Sequence, residues 1–156
     1  MISRDAFARE VRELTDTAYA VSYLILGNSA DCEDAMGAAI LKAFEGRGTL
    51  RKRESFRAWF MQILRREAYD LLRRRRRVQP VEELPEQEAP AADDAGRLDL
   101  EQALTELTED QRTALLLQQA GYALEEIGQA LDVPVGTVKS RISRAKRTLR
   151  TLLEEN

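Results

Sequence analysis

The chain has 156 residues, a third of them charged, with a net charge of −3, no histidine and one cysteine. That length builds one ordinary domain or two small helical ones. Without histidine or a second cysteine there is no structural zinc set, no Cys/His nucleophile pair and no intrachain disulfide. No apolar run approaches the length of a membrane span and the start lacks a basic-then-apolar signal, so a soluble, unexported, cytoplasmic chain is expected, with no metal or cofactor and no enzymatic activity of its own.

Charge is unevenly placed. Residues 1–78 hold 16 Lys and Arg against 11 Asp and Glu, residues 79–100 hold 1 against 7, and residues 101–156 hold 7 against 9. The acidic total speaks against a nucleic-acid partner, but the distribution, with its basic front and one basic helix near the end, speaks for one.

From the N-terminus, Phe7, Val11, Leu14, Ala18, Val21 and Ile25 recur in steps of four and three. This predicts an amphipathic helix, whole or broken near Thr15 and Asp16, with Ser3 placed to cap it and Gly27 to stop it. Ser29 is placed to cap a second helix whose first turn carries Asp31, Glu33 and Asp34, where negative charge suits the helix dipole. Its predicted buried stripe is Met36, Ile40, Ala43 and Phe44, and Cys32 reads as structural. After Gly46 and Gly48, Ser55 is placed to cap a third helix with Phe56, Trp59, Phe60, Ile63, Leu64, Ala68, Leu71 and Leu72 inward. Lys52, Arg53 and Arg57 offer phosphate contacts beside rings able to stack an unpaired base, although those rings also stand at core spacing. The helix closes on Arg73 to Arg77. Cations at a helix C-terminus are worth about 0.3 to 1 kcal/mol each, which explains one or two of them and leaves a surplus suited to an anionic partner.

Residues 79–97 carry three of the four prolines, six acids before Arg97 and no apolar period, the composition of a flexible acidic linker. Helix resumes at Leu98 or Asp99 with Leu100, Ala103, Leu104 and Leu107 on one face. Thr108 and Gln111 form a capping box for a helix through Ala120, which Gly121 ends. Leu124, Ile127 and Leu131 mark a short helix that Asp132, Val133 and Pro134 break. A last helix begins near Pro134 and runs past Arg150, with Val138, Ile142, Ala145, Leu149 and Leu152 inward. Thr137, Ser140, Ser143, Arg144 and Arg147 project to the other side, flanked by Lys139, Arg141, Lys146 and Arg150. A short helix, a tight turn and a basic, hydroxyl-rich helix make a helix-turn-helix suited to the DNA major groove. The expected fold is all-α: two small helical modules joined by the linker, the second containing the helix-turn-helix.

The wording of this last helix, PVGTVKSRISRAKRTLR, closely resembles the final helix of region 4 in bacterial sigma factors of the extracytoplasmic-function group. ILGNSADCEDAMGAAILKAF followed by SFRAWFMQILRREAYDLLRRRRR resembles region 2 of the same family. The resemblance implies a region 2 module over 1–78, the linker over 79–97 and a region 4 module over 98–156. It implies an alternative sigma factor that binds RNA polymerase core and directs promoter-specific initiation, with promoter DNA and an anti-sigma factor as further partners. The positions it marks for the minus-thirty-five element are Thr137, Lys139, Ser140, Arg141, Ser143, Arg144 and Arg147. For the minus-ten element they are Arg51, Lys52, Arg53, Ser55, Phe56, Arg57 and Trp59, and for polymerase docking Asp31, Glu33, Asp34, Leu41 and Lys42. Gly37 and Ala38 stand where most members carry Gln-Glu, and Arg65 and Arg66 stand where Arg-Asn is usual, with Asp70 in place. Two other readings stay open. One is a stand-alone helix-turn-helix regulator whose front half oligomerises or binds a ligand; the other is a sigma-like protein that binds polymerase or an anti-sigma factor without initiating.

Overall fold

In the computed structural model, seven α-helices and one 3₁₀ turn account for the regular structure of the described residues, 1–51, 55–78 and 95–154. α1 (Arg4–Leu26) is unbroken. Ser3 Oγ accepts the Ala6 N–H at 3.1 Å, and Gly27, at φ +78°, closes the helix with its N–H on the Tyr23 carbonyl. Thr15 and Asp16 do not break it because both lie on the solvent side, where the Thr15 hydroxyl donates to the Val11 carbonyl of its own helix at 2.8 Å.

α2 (Ser29–Glu45) departs from expectation at its cap and its face. The cap is Asn28, whose Oδ1 accepts the Asp31 N–H at 2.9 Å; Ser29 lies inside the helix, where its hydroxyl accepts from Tyr19 of α1 at 2.7 Å. The buried stripe is Cys32, Ala35, Ala39 and Ala43, with Met36, Ile40 and Phe44 only half-buried beside it. Small side chains on this line let α2 lie close to both α1 and α3, and the larger ones fill the flanks. A 3₁₀ turn (Arg47–Thr49) follows.

α3 (Phe56–Val78) starts at Ser55, whose Oγ accepts the Ala58 N–H at 3.3 Å. Phe60, Met61, Leu64 and Ala68 are fully buried. Each large one contributes about 1.5 to 3 kcal/mol through burial. Phe7 makes edge-to-face contacts with Phe44 and Phe56 at centroid separations of 5.4 and 5.6 Å, which pins the three helices together at one end.

The second module comprises α4 (Ala95–Thr105), α5 (Glu109–Gln119), α6 (Leu124–Leu131) and α7 (Val135–Glu154). α4 begins three residues before the expected start; the remainder of the expected linker, 79–94, lies outside the described residues. α5 carries the expected capping box of Thr108 and Gln111. Between α6 and α7 the chain turns through Asp132 in the left-handed region (φ 59°), a conformation Asp tolerates better than most residues. The turn is tight. The Val133 N–H donates to the Gly128 carbonyl at 2.9 Å, and a Cβ on Gly128 would stand 2.9 Å from the Val133 carbonyl oxygen. α7 buries Val138, Ile142 and Ala145 on one line, as the spacing predicts.

The two modules are closed on each other. α3 packs along α6 and α1 against α5. One contiguous buried cluster runs from Phe7, Phe60 and Leu64 through Leu117, Tyr122 and Ile127 to Val138 and Ile142. A four-helix module of this size has little core of its own, and shared burial supplies what it lacks.

Candidate nucleic-acid interface

α7 divides cleanly into an inner and an outer side. Lys139, Ser140, Ser143, Arg144 and Arg147 are exposed opposite Val138, Ile142 and Ala145, so their charges and hydroxyls form an open ridge about two and a half turns long. Thr137 and Arg141 sit at its margin, half-buried, and the Arg141 guanidinium stands 3.3 Å from Asp110 of α5. Arg144 is the arginine best placed to reach a base edge, because it projects from the middle of the ridge and guanidinium forks pair with guanine in two hydrogen bonds.

The residues expected at the minus-ten element fare differently. Lys52 and Arg53 lie outside the described residues, and Arg51 is exposed. Phe56 and Trp59 are each only 9% exposed and pack within the core, their ring centroids 5.8 Å apart and their planes tilted by 58°. Both rings hold the α1–α3 bundle together, because their helical positions repeat the apolar stripe, and in this form little of either faces outward. Ser55 and Arg57 stay on the surface of α3, but both are occupied. Ser55 Oγ donates to Glu126 Oε2 at 2.6 Å. Arg57 sends Nε to the same oxygen at 2.7 Å and one Nη to Glu126 Oε1 at 2.8 Å, a forked pair across the module boundary. That Nη also donates to the Gly121 carbonyl at 2.9 Å, and the guanidinium lies 4.1 Å over the Tyr122 ring. Hydrogen bonds from Arg57, above all, hold the Glu126 carboxyl down from its ordinary 4.5 to about 2, and the same bonds raise the arginine's pKa. Burial pushes the Tyr122 hydroxyl up to about 12.

A second clasp lies further along α3. Arg65, almost completely buried, reaches Glu109 at 2.9 Å and Asp110 at 2.8 Å, and the Tyr69 hydroxyl donates to Glu109. Burial first, and then the bond to Glu109, raise the Tyr69 pKa. A buried arginine with one partner removed typically costs 3 to 5 kcal/mol, so this pair of carboxylates is needed once the arginine is enclosed.

The polymerase-docking set also divides. Asp31 is 3% exposed and works internally: it accepts from Asn28 Nδ2 at 3.0 Å and pairs with Arg75 of α3 at 2.6 Å. The same contact accounts for Arg75 within the arginine run, and Arg73 pairs with Asp70 on its own helix. Glu33, Asp34 and Leu41 face solvent along the outside of α2, Leu41 with 58% of its surface exposed, a large apolar side chain on an otherwise polar face. Lys42 is paired with Glu67, a bond that raises its pKa.

Glu126, Glu109 and Asp110 are the residues that sequence reasoning missed. Acids in the first turn of a helix are what any favourable N-terminus shows, so nothing in their spacing distinguishes a clasp from a cap. Glu126 serves as both, since it also accepts the Ala123 N–H at 2.9 Å.

Comparison with known proteins follows the same division. The sigma-70 region 2 family matches residues 9–78 and the sigma-70 region 4 family matches residues 97–149. The chain is 34% identical to the ECF RNA polymerase sigma factor SigE of Mycolicibacterium smegmatis, over 94% of its own length and 61% of that protein's. It is 28% identical to SigW of Bacillus subtilis over 97% of its length and 91% of the relative's. Among solved structures, the sigma factor RpoE of Bartonella quintana, determined in complex with the anti-sigma factor NepR, superposes with a TM-score of 0.75 at 28% identity, covering 95% of this chain and 96% of that one. CnrH, determined with the cytosolic domain of CnrY, shares the fold with a TM-score of 0.70 at 22% identity, covering 99% and 91%. With SigM of Mycobacterium tuberculosis 32% identical over 94% of the chain and 74% of the relative, the chain belongs to the ECF group of the sigma-70 family.

Proposed function

We propose that this protein binds RNA polymerase core and directs it to a promoter. The exposed ridge on α7 contacts the minus-thirty-five duplex through Thr137, Lys139, Ser140, Arg141, Ser143, Arg144 and Arg147. Ser55 and Arg57, with Arg51, Lys52 and Arg53, hold the melted minus-ten strand. The outer face of α2, with Glu33, Asp34, Leu41 and Lys42, docks on polymerase. On this reading residues 1–78 and 98–156 are the two working modules and 79–97 is their linker. The catalytic chemistry is the polymerase's, and the place of work is the cytoplasm. The observation that carries the proposal is the α7 ridge: five exposed basic or hydroxyl side chains on the outer side of a helix whose inner side is buried, at the position a helix-turn-helix offers to DNA. A partner resembling NepR, an anti-sigma factor, is expected as its antagonist.

The test is transcription in vitro from fragmented genomic DNA with purified core enzyme. Discrete run-off products that depend on this chain support the proposal and give the promoter sequence. Tight, specific duplex binding as a free dimer, with no transcript, would favour a stand-alone regulator. Gly37 and Ala38 on the docking face favour one further reading, a chain that binds core without initiating, and core binding without any transcript would select it.

A further inference from the structure

We infer that Glu126 is an internal stand-in for a DNA phosphate, and that the chain masks its own single-strand site. The site is the Ser55 hydroxyl with the Arg57 guanidinium, and its ligand class is a phosphodiester; the inference rests on the proposed minus-ten role of these residues. The two carboxylate oxygens of Glu126 take one O–H and two N–H donors at 2.6, 2.7 and 2.8 Å, the arrangement in which an arginine fork and a hydroxyl receive a phosphate. These donors cannot serve carboxylate and phosphate together. Arg57 is further engaged by the Gly121 carbonyl and the Tyr122 ring, so Nε, one Nη and one face of its guanidinium are taken by the second module.

Closure is selective in what it hides. The α7 ridge remains open, and so do Glu33, Asp34 and Leu41 on α2. The masked surface is the start of α3 together with the α3 flank under Glu109 and Asp110. In the closed form the chain can therefore meet duplex DNA or polymerase but cannot hold a melted strand. Separation of α6 from α3 exposes the phosphate site and leaves Glu126 free to solvent. The two events are one equilibrium, so a ligand that prefers the open form shifts it in proportion to that preference.

The experiment uses the full-length chain without polymerase, so its failure is distinct from a failure to initiate. A fluorescein-labelled random single-stranded dodecamer is titrated by anisotropy at fixed salt, and small-angle scattering follows compactness. Glu126→Gln keeps a side chain able to cap α6 but loses the charge. It should bind the dodecamer about three- to tenfold more tightly, as expected when charge-assisted competing bonds are removed, with an increased radius of gyration. Adding Arg57→Ala to that variant should abolish the gain. Glu109→Gln with Asp110→Asn loosens the second clasp without touching Ser55 or Arg57 and should raise affinity in the same direction, which decides the matter if Glu126→Gln loses helicity. Unchanged dodecamer affinity in a helical Glu126→Gln chain, or a gain that survives Arg57→Ala, overturns the inference.

Discussion

Gly128 and Gly37 both sit inside helices, and the same substitution should act on them with opposite sign. At Gly37 a Cβ meets nothing within 4 Å, so Gly37→Ala removes only the conformational freedom of glycine from an exposed helix face. The gain should be about 0.5 to 1 kcal/mol. At Gly128 the new methyl would lie 2.9 Å from the Val133 carbonyl oxygen, about half an ångström inside ordinary contact, with Val138 and Val135 methyls at 3.7 and 3.8 Å behind it. The carbonyl belongs to the backbone of the turn and cannot swing aside like a side-chain tip, because the Val133 N–H is itself bonded to the Gly128 carbonyl. Overpacking of this kind costs about 1 to 3 kcal/mol, which outweighs the helix-propensity gain of about 1 kcal/mol over most of its range. For a chain of this size 1 kcal/mol corresponds to about 2 to 4 °C in Tm. Gly37→Ala should therefore melt a few degrees higher than wild type and Gly128→Ala lower, with weaker duplex binding by the latter because α7 is displaced at its root. Calorimetry on the two variants side by side is the check. A rise in Tm for Gly128→Ala equal to that for Gly37→Ala would refute the close-approach account of the turn.

Arg144→Ala should relax base choice in the upstream element at a cost of about 1 to 3 kcal/mol, whereas a uniform loss across promoter variants would reassign it to phosphate. Leu41→Ala should weaken core polymerase binding several-fold while leaving Tm nearly unchanged, because the side chain is exposed in the free chain; equal affinity would remove it from the docking face. Restoring the family pair with Gly37→Gln and Ala38→Glu should tighten core binding, measured against a melting control. Glu126, whose carboxyl is held at about 2 in the folded chain, stabilises the closed form fully above its ordinary 4.5 and loses that contribution as the pH falls toward 2. At about 1.4 kcal/mol per pKa unit the ceiling is about 3 kcal/mol, and solvent access to Arg57 brings it to about 1 to 2. Urea titrations at pH 5 should separate wild type from Glu126→Gln by that amount, and the gap should narrow at pH 3.

Helix positions were legible because steps of three and four leave no other periodic solution, and the helix-turn-helix was legible because Asp132 and Pro134 interrupt two such stripes. The face of α2 was not. Apolar size drew the expected stripe toward Met36, Ile40 and Phe44, whereas close packing against two neighbours selected Cys32, Ala35 and Ala39. Phe56 and Trp59 illustrate the converse difficulty: aromatic rings beside cations suit an unpaired base and suit a core equally, and only burial separates the two. Closure of the modules was hidden for another reason. Leu117 and Ile127 carry the periodicity of any amphipathic helix, which records that a face is buried but not against what.

The Arg57 to Glu126 clasp joins residues 69 positions apart. Chains emerge from the ribosome N-terminus first at about 5 to 20 residues per second, so α3 precedes its mask by about 3 to 14 s. Until α6 has been made, a nascent chain presents Ser55 and Arg57 unshielded, together with the side of α1 that α5 later covers. Each newly synthesised molecule thus begins life in the form that the finished one must be opened to regain, and the order of the modules along the gene sets the length of that interval.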